Sequence, residues 1–239
     1  MKKNALLVLF FFALHFLQAL YGQEVAVDFL AEGKKYLDQG ESKLAMQAFN
    51  KAIAQNPKNH MVYYFRGFLK STLKDYRGAI SDYSKTLLLD SSAADVYNNR
   101  GIARENIKDI SGALADYSKA VKLKSDFSEA YYNRGIAELK QQMLKESLED
   151  FDKVIKLKPS FAAAYNNRGI NKGMQGLLIE AMLDFNKALS LKADYADAYL
   201  NRGNVRMKMN LKEDACMDWS KAGELGSEKA YEFIAANCN

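Results

Sequence analysis

The chain has 239 residues, of which 49% are hydrophobic and 26% charged, the balance of a folded protein rather than a disordered one. Its formal charge of +5 comes from 34 basic and 29 acidic residues, and without Lys2 and Lys3 at the N-terminus it falls to +3. So small an excess argues against nucleic acid as a partner, which asks for a clustered basic face.

Met1-Lys2-Lys3 and the apolar run Ala5 to Leu20 read as a secretory signal peptide over residues 1–22. The run is about 16 residues, short of the roughly 20 that a membrane-spanning helix needs. Cleavage after Gly22 gives a mature chain that starts at Gln23, is exported to the periplasm or cell exterior and has no stable membrane insertion. The alternative is an uncleaved anchor.

From Ala26 onward the chain repeats. Glu32-Gly33 is followed by Arg66-Gly67, Arg100-Gly101, Arg134-Gly135, Arg168-Gly169 and Arg202-Gly203, each 34 residues after the last. A fixed period of this length predicts a solenoid of stacked helix pairs. We divide it into units 26–59, 60–93, 94–127, 128–161, 162–195 and 196–229. Position numbers below count from the first residue of each unit.

Position 4 is always aromatic: Phe29, Tyr63, Tyr97, Tyr131, Tyr165 and Tyr199. Position 20 is small (Ala45, Ala79, Ala113, Ser147, Ala181, Ala215), and position 24 is aromatic again (Phe49, Tyr83, Tyr117, Phe151, Phe185, Trp219). Position 28 is aliphatic in five units, with Gly223 as the exception. Spacings of four set these side chains on one helical face. The glycine and the small residue then let two antiparallel helices approach closely. Ser92, Asp126, Ser160 and Asp194 are the expected N-caps of four first helices, with Asp95, Glu129 and Asp197 completing capping boxes in three of them.

Position 7 is Arg and position 23 is Asp in units two to six, whereas unit one has Glu32 and Ala48. Pairing between units would strand one member at unit one, so Arg and Asp of the same unit are expected to pair. Lys51, Lys85, Lys119, Lys153, Lys187 and Lys221 share position 26, a solvated stripe on second helices. Only two prolines interrupt the chain. Residues 228–239 begin like another first helix and then stop, a capping helix with its tail. Cys216 and Cys238 are the only cysteines, an even count in an exported chain, and a disulfide between them would pin that cap.

The pattern of aromatic, Gly, Ala, aromatic, Ala and Pro, as in Phe29, Gly33, Tyr36, Ala45, Phe49, Ala52 and Pro57, resembles the tetratricopeptide repeat (TPR). With the leader, it resembles the exported bacterial members of that family. The resemblance spans residues 26–229 and implies an all-α, right-handed solenoid of six repeats plus a C-terminal cap. It also implies that first helices line a concave surface where partners bind. On that wall fall Tyr64 and Phe68; Asn98, Asn99 and Ile102; Tyr132, Asn133 and Ile136; Asn166, Asn167 and Ile170; and Asn201 and Asn204. Side-chain amides both donate and accept, so a row of them suits the backbone of an extended peptide. The same amides could instead bridge neighbouring helices.

No Gly-rich phosphate loop, His-Glu-x-x-His or Cys-x-x-Cys occurs, so the chain reads as non-enzymatic, with no metal and no cofactor. The expected role is a scaffold for a protein or peptide. A cell-wall or glycan-associated structural factor and end-to-end self-association are the alternatives.

Overall fold

A computed structural model describes residues 28–238. The leader 1–22, the start at Gln23 and the first two residues of unit one lie outside them. The described residues form thirteen α-helices and no strand. They are α1 (Phe29–Asp38), α2 (Ser42–Gln55), α3 (His60–Thr72), α4 (Tyr76–Leu89), α5 (Ala94–Asn106), α6 (Ile110–Leu123) and α7 (Ser128–Lys140). The chain continues through α8 (Leu144–Leu157), α9 (Ala162–Met174), α10 (Leu178–Leu191), α11 (Ala196–Lys208), α12 (Lys212–Glu224) and α13 (Glu228–Asn237). Each helix packs on the next in sequence, giving an all-α solenoid of six helix pairs closed by α13.

Glycine at position 8 is explained by the ring at position 24. A Cβ on Gly101 would lie 2.6 Å from a carbon of the Tyr117 ring, and Tyr117 is fully buried. The small residue at position 20 is fully buried in every unit. In unit four it is Ser147, whose hydroxyl donates to the Gly135 carbonyl at 2.8 Å and so stays satisfied.

Within every unit the turn after the first helix puts position 15 in the left-handed region: Gly40, Lys74, Lys108, Gln142, Gly176 and Asn210. Each turn closes with a backbone hydrogen bond from position 16 to the carbonyl of position 11, such as Asp109 N to Arg104 O at 2.9 Å. This is the Schellman way of ending a helix. Only two of the six residues are glycine, so the hydrogen-bonded turn, not residue type, fixes the geometry.

The N-cap expectation needs correction. The N-caps of α5, α7, α9 and α11 are Ala93, Phe127, Phe161 and Tyr195, one residue later than Ser92, Asp126, Ser160 and Asp194, and none makes a side-chain capping bond. The aromatic caps are partly or fully buried and pack into the core, so apolar burial prevails there over a capping oxygen. Side-chain caps occur elsewhere, at Asp28, Asn59, Asp75 and Asp109. Glu129 pairs with Lys158 and accepts from Ser128.

The last unit is sealed by α13. Phe233 stacks on Trp219 at 5.3 Å between ring centroids, and the Tyr231 ring covers Gly223. That ring explains why position 28 is not aliphatic in unit six: an added Cβ would lie 3.0 Å from it. Cys216 and Cys238 are joined in a disulfide with Cα atoms 5.8 Å apart. Closing a loop across 22 residues is worth about 3 kcal/mol in the chain-entropy picture. Intact-mass measurement should therefore show two hydrogens fewer before reduction than after it; two freely alkylated thiols in the non-reduced protein would contradict the bond.

Candidate functional site

Successive first helices (α1, α3, α5, α7, α9, α11) pack on one another, whereas second helices make no comparable approach to the next second helix. The stack therefore curves with its first helices on the inside, and these form one continuous wall.

Behind the wall lies a repeated charge network. In units two to six the Arg at position 7 donates through Nε and Nη2 to both oxygens of the Asp at position 23. In unit three the distances are 2.9 and 2.6 Å from Arg100 to Asp116. The pairing is within a unit, as the missing pair of unit one implied. The same arginine has a third arm that the sequence reading missed. Nη1 reaches position 25 of the preceding unit, so Arg66 meets Asn50, Arg100 meets Ser84, Arg134 meets Ser118, Arg168 meets Asp152 and Arg202 meets Asn186. One planar guanidinium thereby joins three helices. It also lies over the position-4 tyrosine of its own helix, 5.4 to 5.8 Å from the ring centroid.

A second cation at position 11 completes four of these networks: Lys70, Arg104, Lys172 and Arg206 each contact the unit's Asp. Unit four breaks the rule. Its position 11 is Glu138, 6% exposed, with Oε2 buried and without a hydrogen-bond partner. Arg134 Nε lies 3.6 Å from the other oxygen. Burial first, then the Asp150 carboxylate, push the Glu138 carboxyl up to about 7 against the pull of Arg134. Burial also raises Asp150, although Arg134 opposes it.

On the wall, the predicted amides form a ladder from unit to unit. Asn133 Nδ2 donates to Asn98 Oδ1 at 3.0 Å, Asn167 Nδ2 to the Tyr132 hydroxyl at 3.0 Å, and Asn201 Nδ2 to Asn166 Oδ1 at 3.1 Å. Asn99 meets the Tyr64 hydroxyl in the same register. Each rung joins position 5 of one unit to position 6 of the next, 35 residues later in sequence. Burial raises the Tyr64 hydroxyl, helped by Asp95, and raises Tyr132. Asn98 and Asn166 are buried by the ladder, whereas Asn99, Asn133, Asn167 and Asn201 are partly exposed.

Each rung uses one N–H of an amide that has two and leaves further acceptor capacity. Ile102, Ile136 and Ile170 are half-buried at position 9, Phe68 is 41% exposed there, and Asn204 takes the same place in unit six. The sequence-predicted residues thus lie along one face, with Asn98 and Asn166 recessed. No helix among the described residues is long and apolar enough to cross a membrane.

Family models described as tetratricopeptide repeat match residues 31–59 and 128–161, and one described as TPR repeat matches 108–142. No curated protein matches the chain. Among solved structures, MamA is 26% identical, with 70% of this chain and 92% of that one covered at a TM-score of 0.66. YrrB, described as a TPR protein with an unusual peptide-binding site, is 24% identical, covering 80% and 99% at 0.68. PilW, described as a widely conserved type IV pilus biogenesis factor, is 19% identical, covering 89% and 99% at 0.73.

Proposed function

Since this chain is a tetratricopeptide-repeat protein, we propose that it is a non-enzymatic scaffold that holds a protein or peptide segment along its first-helix wall. The observation that carries this reading is the row of partly exposed amides, Asn99, Asn133, Asn167 and Asn201, set beside Ile102, Ile136 and Ile170. An extended backbone presents donors and acceptors in alternation, and amides answer both. The isoleucines, with Tyr64, Phe68 and Tyr132, add apolar area that leaves water on binding. YrrB, which shares the fold, is described as having a peptide-binding site, and the same use is proposed for this wall.

The working units are 26–59, 60–93, 94–127, 128–161, 162–195 and 196–229, with 228–239 as cap and tail and 1–22 as a leader removed on export. The disulfide supports an oxidising location, periplasmic or extracellular.

The test uses Asn133→Ala together with Asn167→Ala. Capture of the partner from an extract of the native host should fall markedly. Two rungs are also lost, at about 1 kcal/mol net each, so the melting midpoint should drop by roughly 4 to 8 °C. Ile136→Lys lies outside the ladder and should weaken capture with little thermal change. Undiminished capture by both variants would move the binding surface off this wall.

A further inference from the structure

Position 12 holds Leu37, Ser71, Glu105, Leu139 and Met207 in five units and Gly173 in the remaining one. Gly173 differs from the position-8 glycines because nothing in the fold demands it. Its backbone is helical, and an added Cβ would meet Val205 at 3.5 Å and Ala181 at 3.9 Å, ordinary contact distances. Gly173 lies in the last turn of its helix, where glycine costs at most about 1 kcal/mol relative to alanine, and here no close approach offsets that cost. What the missing side chain leaves is a cavity of about 130 Å³, open to solvent on one side, between Ile170 and Met174 of α9 and Val205 of α11, with Phe185 of α10 at its base. An apolar cavity of roughly 150 Å³ takes up benzene, so this one is sized for a leucine or isoleucine side chain.

The polar groups at the mouth are specific. Asn204 Oδ1 accepts from the Trp219 indole at 3.1 Å, which leaves the Asn204 N–H groups to be donated. Asn201 Nδ2 is used by the ladder, which leaves Asn201 Oδ1 to accept. One donor and one acceptor on adjacent turns match the carbonyl and N–H of an extended chain. Lys208 borders the same cavity, is exposed, and is absent from the ion pairs of the described residues.

We propose that this cavity is the anchor socket of the wall: it takes one aliphatic side chain of an extended peptide that carries an Asp or Glu beside it, facing Lys208. The proposal rests on the peptide-binding reading above and adds the partner's chemistry to it.

Random twelve-residue peptides displayed on phage and panned against the full chain supply the probe. The best-enriched peptide, synthesised with an amidated C-terminus, is titrated by the fluorescence of Trp219, the single tryptophan. Enrichment should yield Leu, Ile or Val next to an acid. Gly173→Leu fills the socket and should weaken binding more than tenfold. Gly173→Ala, which the contact distances accommodate, should weaken it severalfold while the thermal midpoint stays level or rises. Lys208→Glu should weaken the same peptide and leave the midpoint unchanged. A peptide that binds Gly173→Ala and Gly173→Leu as tightly as the unaltered chain overturns the socket; if that peptide still depends on Asn133 and Asn167, the wall survives as a binding surface. Failure to enrich any peptide overturns both.

Discussion

Asp116→Ala should lower the stability of the chain by about 3 to 5 kcal/mol in urea unfolding, the cost of leaving buried charge uncompensated. Asp116 is 2% exposed and neutralises two arginines, with Arg104 Nη1 2.9 Å away beside the two bonds from Arg100. Removing it leaves two cations facing each other in a site with little water. The loss also passes along the stack. Arg100 holds Ser84 of the preceding unit through Nη1 at 3.0 Å, and a solenoid is stabilised by such nearest-neighbour interfaces. Arg100→Met paired with Asp116→Ala should recover part of the loss, because an absent pair costs less than a broken one. A loss below 1 kcal/mol for Asp116→Ala would mean that the site is solvated like a surface ion pair.

Glu138 gives the second large effect, with the opposite sign. Its folded value of about 7 lies above the ordinary 4.5, so the folded state holds the proton more tightly than the unfolded state. The stabilisation is fully present below pH 4.5 and is lost as pH rises through about 7. The span corresponds to about 3.5 kcal/mol at roughly 1.4 kcal/mol per pH unit. Glu138→Gln should match the unaltered chain at pH 4.5 and exceed it by that amount at pH 8. Glu138→Lys restores the cation that the other networks have, and should be the more stable variant at pH 8. Parallel pH profiles for the unaltered chain and Glu138→Gln would show that Glu138 does not titrate in this range.

How much of this could be read in the sequence varies with the range of the interaction. Contacts within one unit repeat at the period and were legible. The close approach of the two helices at Gly101 followed from spacing, and the Arg–Asp pairing followed from what unit one lacks. Contacts between units were less so. The Arg Nη1 partners are Asn, Ser, Ser, Asp and Asn, polar in common but mixed in type, and only packing shows that they face the next unit's arginine. The amide ladder involves side chains 35 residues apart, and sequence alone favoured peptide binding and kept bridging as the alternative. The N-caps shifted by one residue because burial of Phe127, Phe161 and Tyr195 was not weighed against capping. Glu138 was missed, although the signal was there: position 11 is Tyr36, Lys70, Arg104, Glu138, Lys172 and Arg206, and one acid stands among four cations. What could not be read was its burial, which turns a charge reversal into a titrating group.

The most direct test of the scaffold reading is site-specific photo-crosslinking in the native host. A benzophenone amino acid replaces Ile136 on the first-helix wall in one variant and Lys119, exposed on a second helix, in another. The account predicts a discrete protein adduct from position 136, diminished by Asn133→Ala with Asn167→Ala, and none from position 119. Adducts from position 119 alone would contradict it and assign binding to the outer helices.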